Sequence, residues 1–239
     1  MPKQVTQDIK SLGNILGVWA HPDDETFSSA GIMMQALDNG QSVTCITATK
    51  GEKGQHGNNI PDDKLAKARE IELNNAFNVI GDIDHRWLDC VDGECKTDDE
   101  QAINKIIAII DELKPDTILT FGSDGLTGHP DHSCVYHWAV SAVNKSDLKP
   151  NLFSVIQLKS LYDQYMKKID EDFNVFFMLE APKLYNDKEC DLIFKLSDVQ
   201  KRKKCEALKC MITQTKAMFD TYEPKFLENA FSKEAFVLK

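Results

Sequence analysis

Two short segments of this sequence combine histidine and aspartate at close spacing. The first is His21-Pro22-Asp23-Asp24-Glu25 and the second is His129-Pro130-Asp131-His132. Imidazole nitrogens and carboxylate oxygens are suitable ligands for a zinc ion, and both groups also transfer protons in enzymes. The residue types therefore indicate a metal site, acid–base chemistry, or both.

The first segment, taken alone, supports two interpretations equally. His21 and Asp24 are three residues apart, so both side chains can reach one point if the chain turns between them. Asp23 then points elsewhere and could serve as a base. However, proline and aspartate are also common in turns, and acidic residues are favoured in the first turn of a helix. An ordinary helix start is the competing interpretation.

The second segment favours the metal site. His129 and His132 are again three residues apart, after a strand-like run and at the start of a predicted helix in which Pro130 suits the first position. A catalytic zinc typically has three protein ligands plus water, whereas a structural zinc has four. Four ligands drawn from both segments would leave Asp23 and Asp131 without a purpose. We therefore expect an open site that leaves a histidine and an aspartate free for proton transfer, as hydrolysis requires.

Alternating strand-like and helix-like segments must position these two loops. Such alternation predicts right-handed βαβ units and a parallel sheet, whose ligand sites lie at the carboxyl ends of the strands. We predict one domain, residues 1–239, with a Rossmann-like three-layer α/β fold, a mainly parallel sheet and helices on both faces. Strands are predicted near residues 14–20, 42–49, 85–88, 116–122, 152–158 and 175–179. Helices are predicted near 25–39, from a cap at Asp62 or Asp63 to just before Gly81, near 98–113, from 130 onward, and near 197–216.

The composition limits the partners of the chain. Its 239 residues include 28 Lys or Arg and 38 Asp or Glu, for a formal net charge of −10. Because such a chain repels phosphates and anionic membranes, we expect no nucleic-acid partner and no membrane insertion. The basic run at 201–204 is predicted to be a solvated helix face. Without an apolar signal segment the protein is expected to be cytoplasmic, and many enzymes of this size form symmetric homo-oligomers.

The paired loops, together with the lead-in segment at residues 120–128, resemble the PIG-L/LmbE family of N-acetylglucosaminyl deacetylases. Further pieces agree with that family in their order along the chain. They are the glycine loop at 49–54, the Arg-x-x-Glu-Leu helix at 69–73, the Asp92-Gly93 turn and the C-terminal helix at 204–214. The likeness is strong over roughly residues 14–140 and weaker beyond them. Two rare loops in the right order make it specific, which the glycine loop alone would not.

The resemblance implies a role for each matching residue of the metal site. His21, Asp24 and His132 would bind one Zn²⁺ per chain, or another divalent transition metal in its place. Asp23 would be the general base that accepts a proton from water. Glu25 belongs to the same motif but is expected to support the helix start or the ligands beside it.

The remaining roles that the resemblance implies concern the substrate. His129 would stabilise the oxyanion or protonate the leaving amine, and Asp131 would orient His129. Arg69 and Asp92 would bind the substrate, although a surface ion pair with a neighbouring glutamate is the competing interpretation of Arg69. Some family members carry a tyrosine at the position of Thr127, so its assistance to the carbonyl is missing or comes from another residue.

The function that the resemblance implies is removal of an acetyl group from an N-acetylated amino sugar or sugar conjugate. Residues 151–239 do not identify the substrate, so a small non-sugar N-acyl metabolite remains an alternative. His56, in the glycine-rich loop, is expected either to line the entrance to the site or to lie in solvent. A non-catalytic Rossmann-like binding module is the alternative from another class, but the turn after the first strand lacks the Gly-x-Gly-x-x-Gly loop that cradles a dinucleotide.

Overall fold

An eight-stranded sheet forms the centre of the computed structural model, which describes residues 4–54 and 60–239. His56 therefore lies outside the described residues. The strands are β1 (Gln4–Thr6), β2 (Ile15–Trp19), β3 (Val43–Thr47), β4 (Asp84–Trp87), β5 (Thr117–Thr120), β6 (Asn151–Val155), β7 (Gln157–Leu158), β8 (Leu184–Tyr185), β9 (Leu192–Lys195) and β10 (Lys233–Leu238). The large sheet has the order β1-β9-β10-β6-β5-β2-β3-β4, and β7 pairs with β8 separately. Of the described strands in the large sheet, β10 alone runs antiparallel to its neighbours, so the predicted mainly parallel sheet is confirmed.

The helices cover the sheet in two groups. They are α1 (Asp24–Asp38), α2 (Asp62–Ile80), α3 (Glu100–Leu113), α4 (Pro130–Lys145), α5 (Lys159–Leu161), α6 (Lys167–Phe173), α7 (Asp198–Lys209), α8 (Ile212–Thr221) and α9 (Pro224–Ala230), with a π-helical turn at Tyr162–Met166 between α5 and α6. The helices α1, α2 and α7 pack against one another, and α3 packs against α4. The predicted three-layer α/β fold is confirmed.

The strands that lead to the two loops lie at the centre of the core. Every residue of β2, β3 and β5 is buried, as expected for parallel strands that are covered on both faces and rich in aliphatic and β-branched side chains. β2 and β5 are parallel neighbours, with Ile15 opposite Thr117 and Gly17 opposite Leu119. The loops that follow these strands therefore emerge side by side at one edge of the sheet, as the sequence predicts.

The predicted helix at 197–216 is wrong in one respect, because two helices occupy this segment. α7 ends at Lys209 and α8 begins at Ile212. The buried carboxylate of Glu72, on α2, accepts the backbone N–H of Thr213 at 2.8 Å and its hydroxyl at 2.6 Å. A carboxylate in this place satisfies free N–H groups at the start of a new helix. Neither glycine nor proline marks the break, so the local pattern could not predict it.

The predicted strand at 175–179 is also wrong, because these residues form a turn. The N–H of Phe176 donates to the Asp170 carboxylate at 2.9 Å, and the N–H of Leu179 donates to the carbonyl of Phe176 at 2.9 Å. These local bonds use main-chain groups that a strand would offer to a neighbour. The predicted strand at 152–158 is divided between β6, in the large sheet, and β7, in the small one.

The structure also bears on two expectations from composition. Among residues 4–54 and 60–239, no helix is both long enough and apolar enough to cross a bilayer. The basic run at 201–204 lies on α7, but it is not uniformly solvated as predicted. Arg202 is exposed, whereas Lys204 is buried because its ammonium group pairs with Glu234 inside the protein.

Candidate active site

The first loop leaves β2 and turns sharply into α1. Asp23 occupies the N-cap position of α1 with a φ of 135°, a backbone angle that residues other than glycine rarely adopt. The N–H of Asp23 donates to the Glu25 carboxylate at 3.1 Å, and the N–H of His21 donates to the Asp24 carboxylate at 2.8 Å. This turn brings the side chains of His21 and Asp24 within 3.5 Å of each other, as their spacing predicts.

Three side chains converge where the two loops meet. Nδ1 of His21 lies 3.1 Å from Nε2 of His132 and 3.5 Å from Oδ2 of Asp24. Nε2 of His132 lies 3.4 Å from Oδ1 of Asp24. Two ligands that are each about 2.1 Å from a tetrahedral zinc lie roughly 3.4 Å apart, and the facing nitrogens of His21 and His132 are close to this separation, while Asp24 turns one carboxylate oxygen towards each of them. The structure thus brings together the three residues that the resemblance implies as metal ligands.

The hydrogen bonds of the two histidines direct a lone pair from each towards this point. Nδ1 of His132 lies 2.9 Å from the carbonyl oxygen of Gly125, which can only accept, so Nδ1 carries the proton and Nε2 is free to coordinate. Nε2 of His21 lies 3.1 Å from the Asp92 carboxylate and 3.4 Å from that of Asp131, so a neutral His21 with its proton on Nε2 would offer Nδ1 to a metal. Metal-bound histidines typically donate their other ring N–H to a carboxylate or a carbonyl in this way.

The charges around the site favour a cation. Burial opposes a charge on His21, but hydrogen bonds to Asp131, Asp24 and Asp92 outweigh it and raise the pKa of His21 well above its ordinary value. Burial lowers the pKa of His132 to about 4. Burial acts to raise the pKa of Asp24, but the two histidines overcome this effect and lower the pKa to about 2. The Asp24 carboxylate therefore remains ionised, and the positive charge that the carboxylates favour on His21 shows that this point in the protein suits a cation.

The carboxyl group of Asp23 lies beside the three converging residues and has different surroundings. Its oxygen is 3.4 Å from Nη2 of Arg69, and its side chain remains 16% exposed. Burial raises the pKa of Asp23 to about 7, while the positive charge of Arg69 acts in the opposite direction. A carboxyl group with these properties can exchange a proton near neutral pH.

Arg69 and Asp92 contact the protein itself. Nη2 of Arg69 donates to the carbonyl of Pro22 at 2.7 Å, and Nη1 donates to that of Gly51 at 3.1 Å. The two oxygens of Asp92 face Nε2 of His21 and the N–H of Lys53. Both side chains are buried, so the alternative of a surface ion pair for Arg69 is wrong. The substrate contacts expected of these two residues remain a prediction.

The second loop uses His129 to start α4. Nδ1 of His129 accepts the N–H of Asp131 at 3.2 Å, which leaves the ring proton of neutral His129 on Nε2. Burial, followed by the charge of His21, lowers the pKa of His129. The carboxylate of Asp131 was expected to orient His129, but it accepts the N–H of Gly93 at 2.7 Å and faces His21. The backbone N–H of Asp131 thus makes the hydrogen bond to the His129 ring, while the Asp131 carboxylate binds Gly93.

Three supporting contacts of His132 were not predicted from the sequence. Besides the carbonyl of Gly125, they are the ring of Phe121, stacked on the imidazole with centroids 4.1 Å apart, and the hydroxyl of Thr127, 3.2 Å from Nδ1. The sequence did mark these residues, because all three belong to the lead-in segment at 120–128 that resembles the family. Their roles depend on how the loop folds back, which spacing alone does not reveal.

Gly128 allows the second loop to pack closely before His129. Its φ is +84°, and a Cβ built there would lie 2.7 Å from side-chain atoms of Leu179 and 3.0 Å from the backbone of Met178. We expect Gly128→Ala to displace the loop, to lower the free energy of unfolding by about 1–3 kcal/mol or more, and to reduce activity. Gly40→Ala is the matched control, because Gly40 has a φ of +79° and nothing within 4 Å. If urea unfolding showed the same loss of unfolding free energy for Gly128→Ala and Gly40→Ala, the contact of Gly128 with residues 178–179 would be unimportant.

Comparison with known proteins places this site in a family. The model of the PIG-L family, described as GlcNAc-PI de-N-acetylase, matches residues 16–143 and so includes both loops. A 1D-myo-inositol 2-acetamido-2-deoxy-alpha-D-glucopyranoside deacetylase from Mycobacterium sp. (strain JLS) is 28% identical over 211 residues, which cover 77% of this chain and 68% of the relative. Deacetylase 2 of the same description from Catenulispora acidiphila is 33% identical over 153 residues, with coverage of 54% and 50%. The chain thus spans about half the length of some curated relatives that it matches.

Solved structures show the same fold at low sequence identity. N,N'-diacetylchitobiose deacetylase from Pyrococcus horikoshii superimposes with a TM-score of 0.68 and 18% identity, over 99% of this chain and 87% of that one. The 4-carboxy-2-hydroxymuconate hydratase from Pseudomonas putida has a TM-score of 0.66 and 16% identity, with 95% of each chain covered. These likenesses concern the fold alone, since proteins with different named reactions share it. The family model and the two loops within its span carry the assignment: this chain belongs to the PIG-L family.

Proposed function

We propose that this protein is a zinc-dependent hydrolase that removes the acetyl group from an N-acetylated amino sugar or sugar conjugate. The observation that carries the proposal is the convergence of His21, Asp24 and His132 at zinc-ligand separations, with the Asp23 carboxyl group beside them. An open site of this kind with an adjacent proton acceptor is what amide hydrolysis by activated water requires.

The three converging residues would hold one zinc ion per chain through Nδ1 of His21, Nε2 of His132 and the Asp24 carboxylate. When bound, zinc acts as a Lewis acid and lowers the pKa of water towards neutrality. The chemistry of the donor set supports this metal, because two neutral imidazoles and one carboxylate are a known ligand set of catalytic zinc. Asp92 and Asp131 would fix the orientation of His21 by accepting its Nε2–H.

The residues that do not coordinate would divide the proton chemistry between them. Asp23 would accept the proton of the attacking water on its carboxylate. His129 would donate a hydrogen bond from Nε2 to the developing oxyanion, because its Nδ1 already accepts the N–H of Asp131. The same contact disfavours a second ring proton on His129. Asp23 would therefore return its proton to the nitrogen of the leaving amine.

The proposed substrate is a small N-acetylated molecule. Relatives named as deacetylases of an acetamido-deoxy-glucopyranoside support a sugar amide, and the family description supports the same bond class. Arg69 and Asp92 would approach the sugar from the side of the first loop, in keeping with the resemblance. We further propose that residues 1–239 act as one domain, which the continuity of the sheet from β1 to β10 supports.

The test combines metal analysis with a substrate panel. We expect the purified protein to carry about one zinc per chain, to release acetate and a free amine from N-acetylated amino sugars, and to lose this activity on chelation until zinc is restored. N-acyl amines without a sugar are included as controls. Hydrolysis of these controls alone would replace the sugar substrate with a non-sugar metabolite. A zinc-loaded protein without turnover on any member of the panel would favour the non-catalytic binding module.

A further inference from the structure

A buried ion pair lies outside the proposed catalytic groups. Nζ of Lys204, on α7, is 2.6 Å from Oε1 of Glu234, on β10, and each side chain is only 1% exposed. Removing two charges from water is costly, and apolar residues often replace such a pair without loss of stability. Stability alone therefore does not explain the pair, and its other hydrogen bonds show which part of the protein it holds.

The pair is attached to the backbone of α1. The Glu234 carboxylate accepts the N–H of Gly31 at 2.7 Å and that of Ile32 at 2.9 Å. The Lys204 ammonium group donates to the carbonyl of Phe27 at 2.7 Å. In a regular α-helix the N–H of residue 31 pairs with the carbonyl of residue 27. Both groups of this main-chain pair are thus held by side chains from other elements.

The attached part of α1 lies directly behind the first loop. Phe27 is three residues after Asp24, the first residue of α1, and four after Asp23, its N-cap. Gly31 permits the close approach at this point, because a Cβ there would lie 2.7 Å from the side chain of Leu196, the residue that follows β9. The pair therefore joins α7 and β10 to the helix turn that carries two residues of the site.

The position of the first turn of α1 matters because another of the proposed metal ligands, His132, comes from a different helix. His132 lies on α4, and Asp24 reaches it across a gap of 3.4 Å. A shift of α1 along the sheet by a fraction of an ångström would change this separation directly. A functional metal site requires its ligands to be held within roughly 0.5 Å of the productive geometry.

We propose that the Lys204–Glu234 pair is a positioning device, which fixes the first two turns of α1 so that Asp23 and Asp24 meet the groups of the second loop. The inference rests on the proposed function, since it assigns a purpose to these two residues within that site. It also gives a role to Lys204 of the C-terminal helix motif, which the proposed chemistry does not use. Neither residue touches the substrate or the metal in this proposal.

The first test uses a double variant without a buried charge, Lys204→Met with Glu234→Gln. We expect it to unfold in one cooperative transition, because no unpaired charge remains inside. Titration of the metal-free protein with zinc against a chromophoric chelator should give a dissociation constant raised at least about tenfold. The turnover number kcat of the zinc-loaded variant should fall by a similar factor, with a smaller change in KM.

A second variant and a matched control separate positioning from stability. Glu234→Asp keeps the charge balance but shortens the side chain, so it should fold readily and weaken zinc binding in the same direction. Leu158→Ala removes buried side-chain volume from β7, in the separate small sheet, and should lower stability with no change in zinc affinity. Wild-type zinc affinity in both the double variant and Glu234→Asp would overturn the proposal. Turnover by the wild-type protein tests the proposed function, whereas the ratio of zinc affinities tests the pair.

Discussion

An Asp23→Asn variant is expected to bind metal as the wild-type protein does and to hydrolyse its substrate about 100-fold to 10 000-fold more slowly. Asparagine has nearly the shape of aspartate and can still accept a hydrogen bond from Arg69, whose Nη2 lies 3.4 Å from Asp23. It cannot accept the proton of the attacking water. The measurements are kcat at saturating substrate and the zinc content per chain.

Asp23→Gly is the control for the strained backbone at this position. Asp23 has a φ of 135°, and strain of this kind costs about 1–3 kcal/mol, which glycine would relieve. The flexibility of glycine in the unfolded chain offsets about 0.5–1 kcal/mol of that gain. We expect a variant that is as inactive as Asp23→Asn but more stable than Asp23→Asn in urea, because both lose the charge that faces Arg69 and only glycine relieves the strain. Near wild-type turnover in either variant, with zinc bound, would remove Asp23 from the proposed chemistry.

The parts of the fold and site that the sequence predicted depend on short-range patterns. Buried runs such as Ile15–Trp19 identify strands covered on both faces, and the spacing of His21 and Asp24 places both on one turn. The position of both loops at one edge of the sheet follows from the general rule that ligand sites lie at the carboxyl ends of parallel strands. These arguments need no knowledge of distant contacts, and the structure agrees with them.

The parts that the sequence did not predict depend on partners far along the chain. The Asp131 carboxylate accepts the N–H of Gly93, 38 positions away, and its contact with His129 is made by the backbone N–H instead. The break between α7 and α8 depends on Glu72, 141 positions from Thr213. Lys204 was assigned to a solvated face because its neighbours are charged, yet its partner arises 30 residues later. Local composition does not determine which long-range partner a polar side chain acquires.

The strongest expected effect on metal binding is that of His132→Ala, which should abolish both zinc binding and activity. Nε2 of His132 is one of three converging ligand atoms, and its other nitrogen is engaged by the carbonyl of Gly125. Without this imidazole the site retains one histidine and one carboxylate, too few for a catalytic zinc. Zinc content after dialysis and calorimetric titration of the metal-free protein are the measurements. A variant that retained stoichiometric zinc would exclude His132 as a ligand.

The matched experiment at His129 distinguishes this ligand set from an alternative one. Ring nitrogens of His21, His129 and His132 all lie within 4.8 Å of one another and could hold the metal without Asp24. His129→Asn keeps an acceptor for the N–H of Asp131 at the start of α4 but removes the Nε2 donor. We expect full zinc binding and a loss of about 100-fold to 1000-fold in kcat, as for removal of one donor to an oxyanion. His129→Gln places an amide N–H nearer the lost Nε2 and should recover part of that loss. Loss of zinc from His129→Asn would instead make His129 a ligand, and the proposed division between coordination and proton chemistry would be wrong.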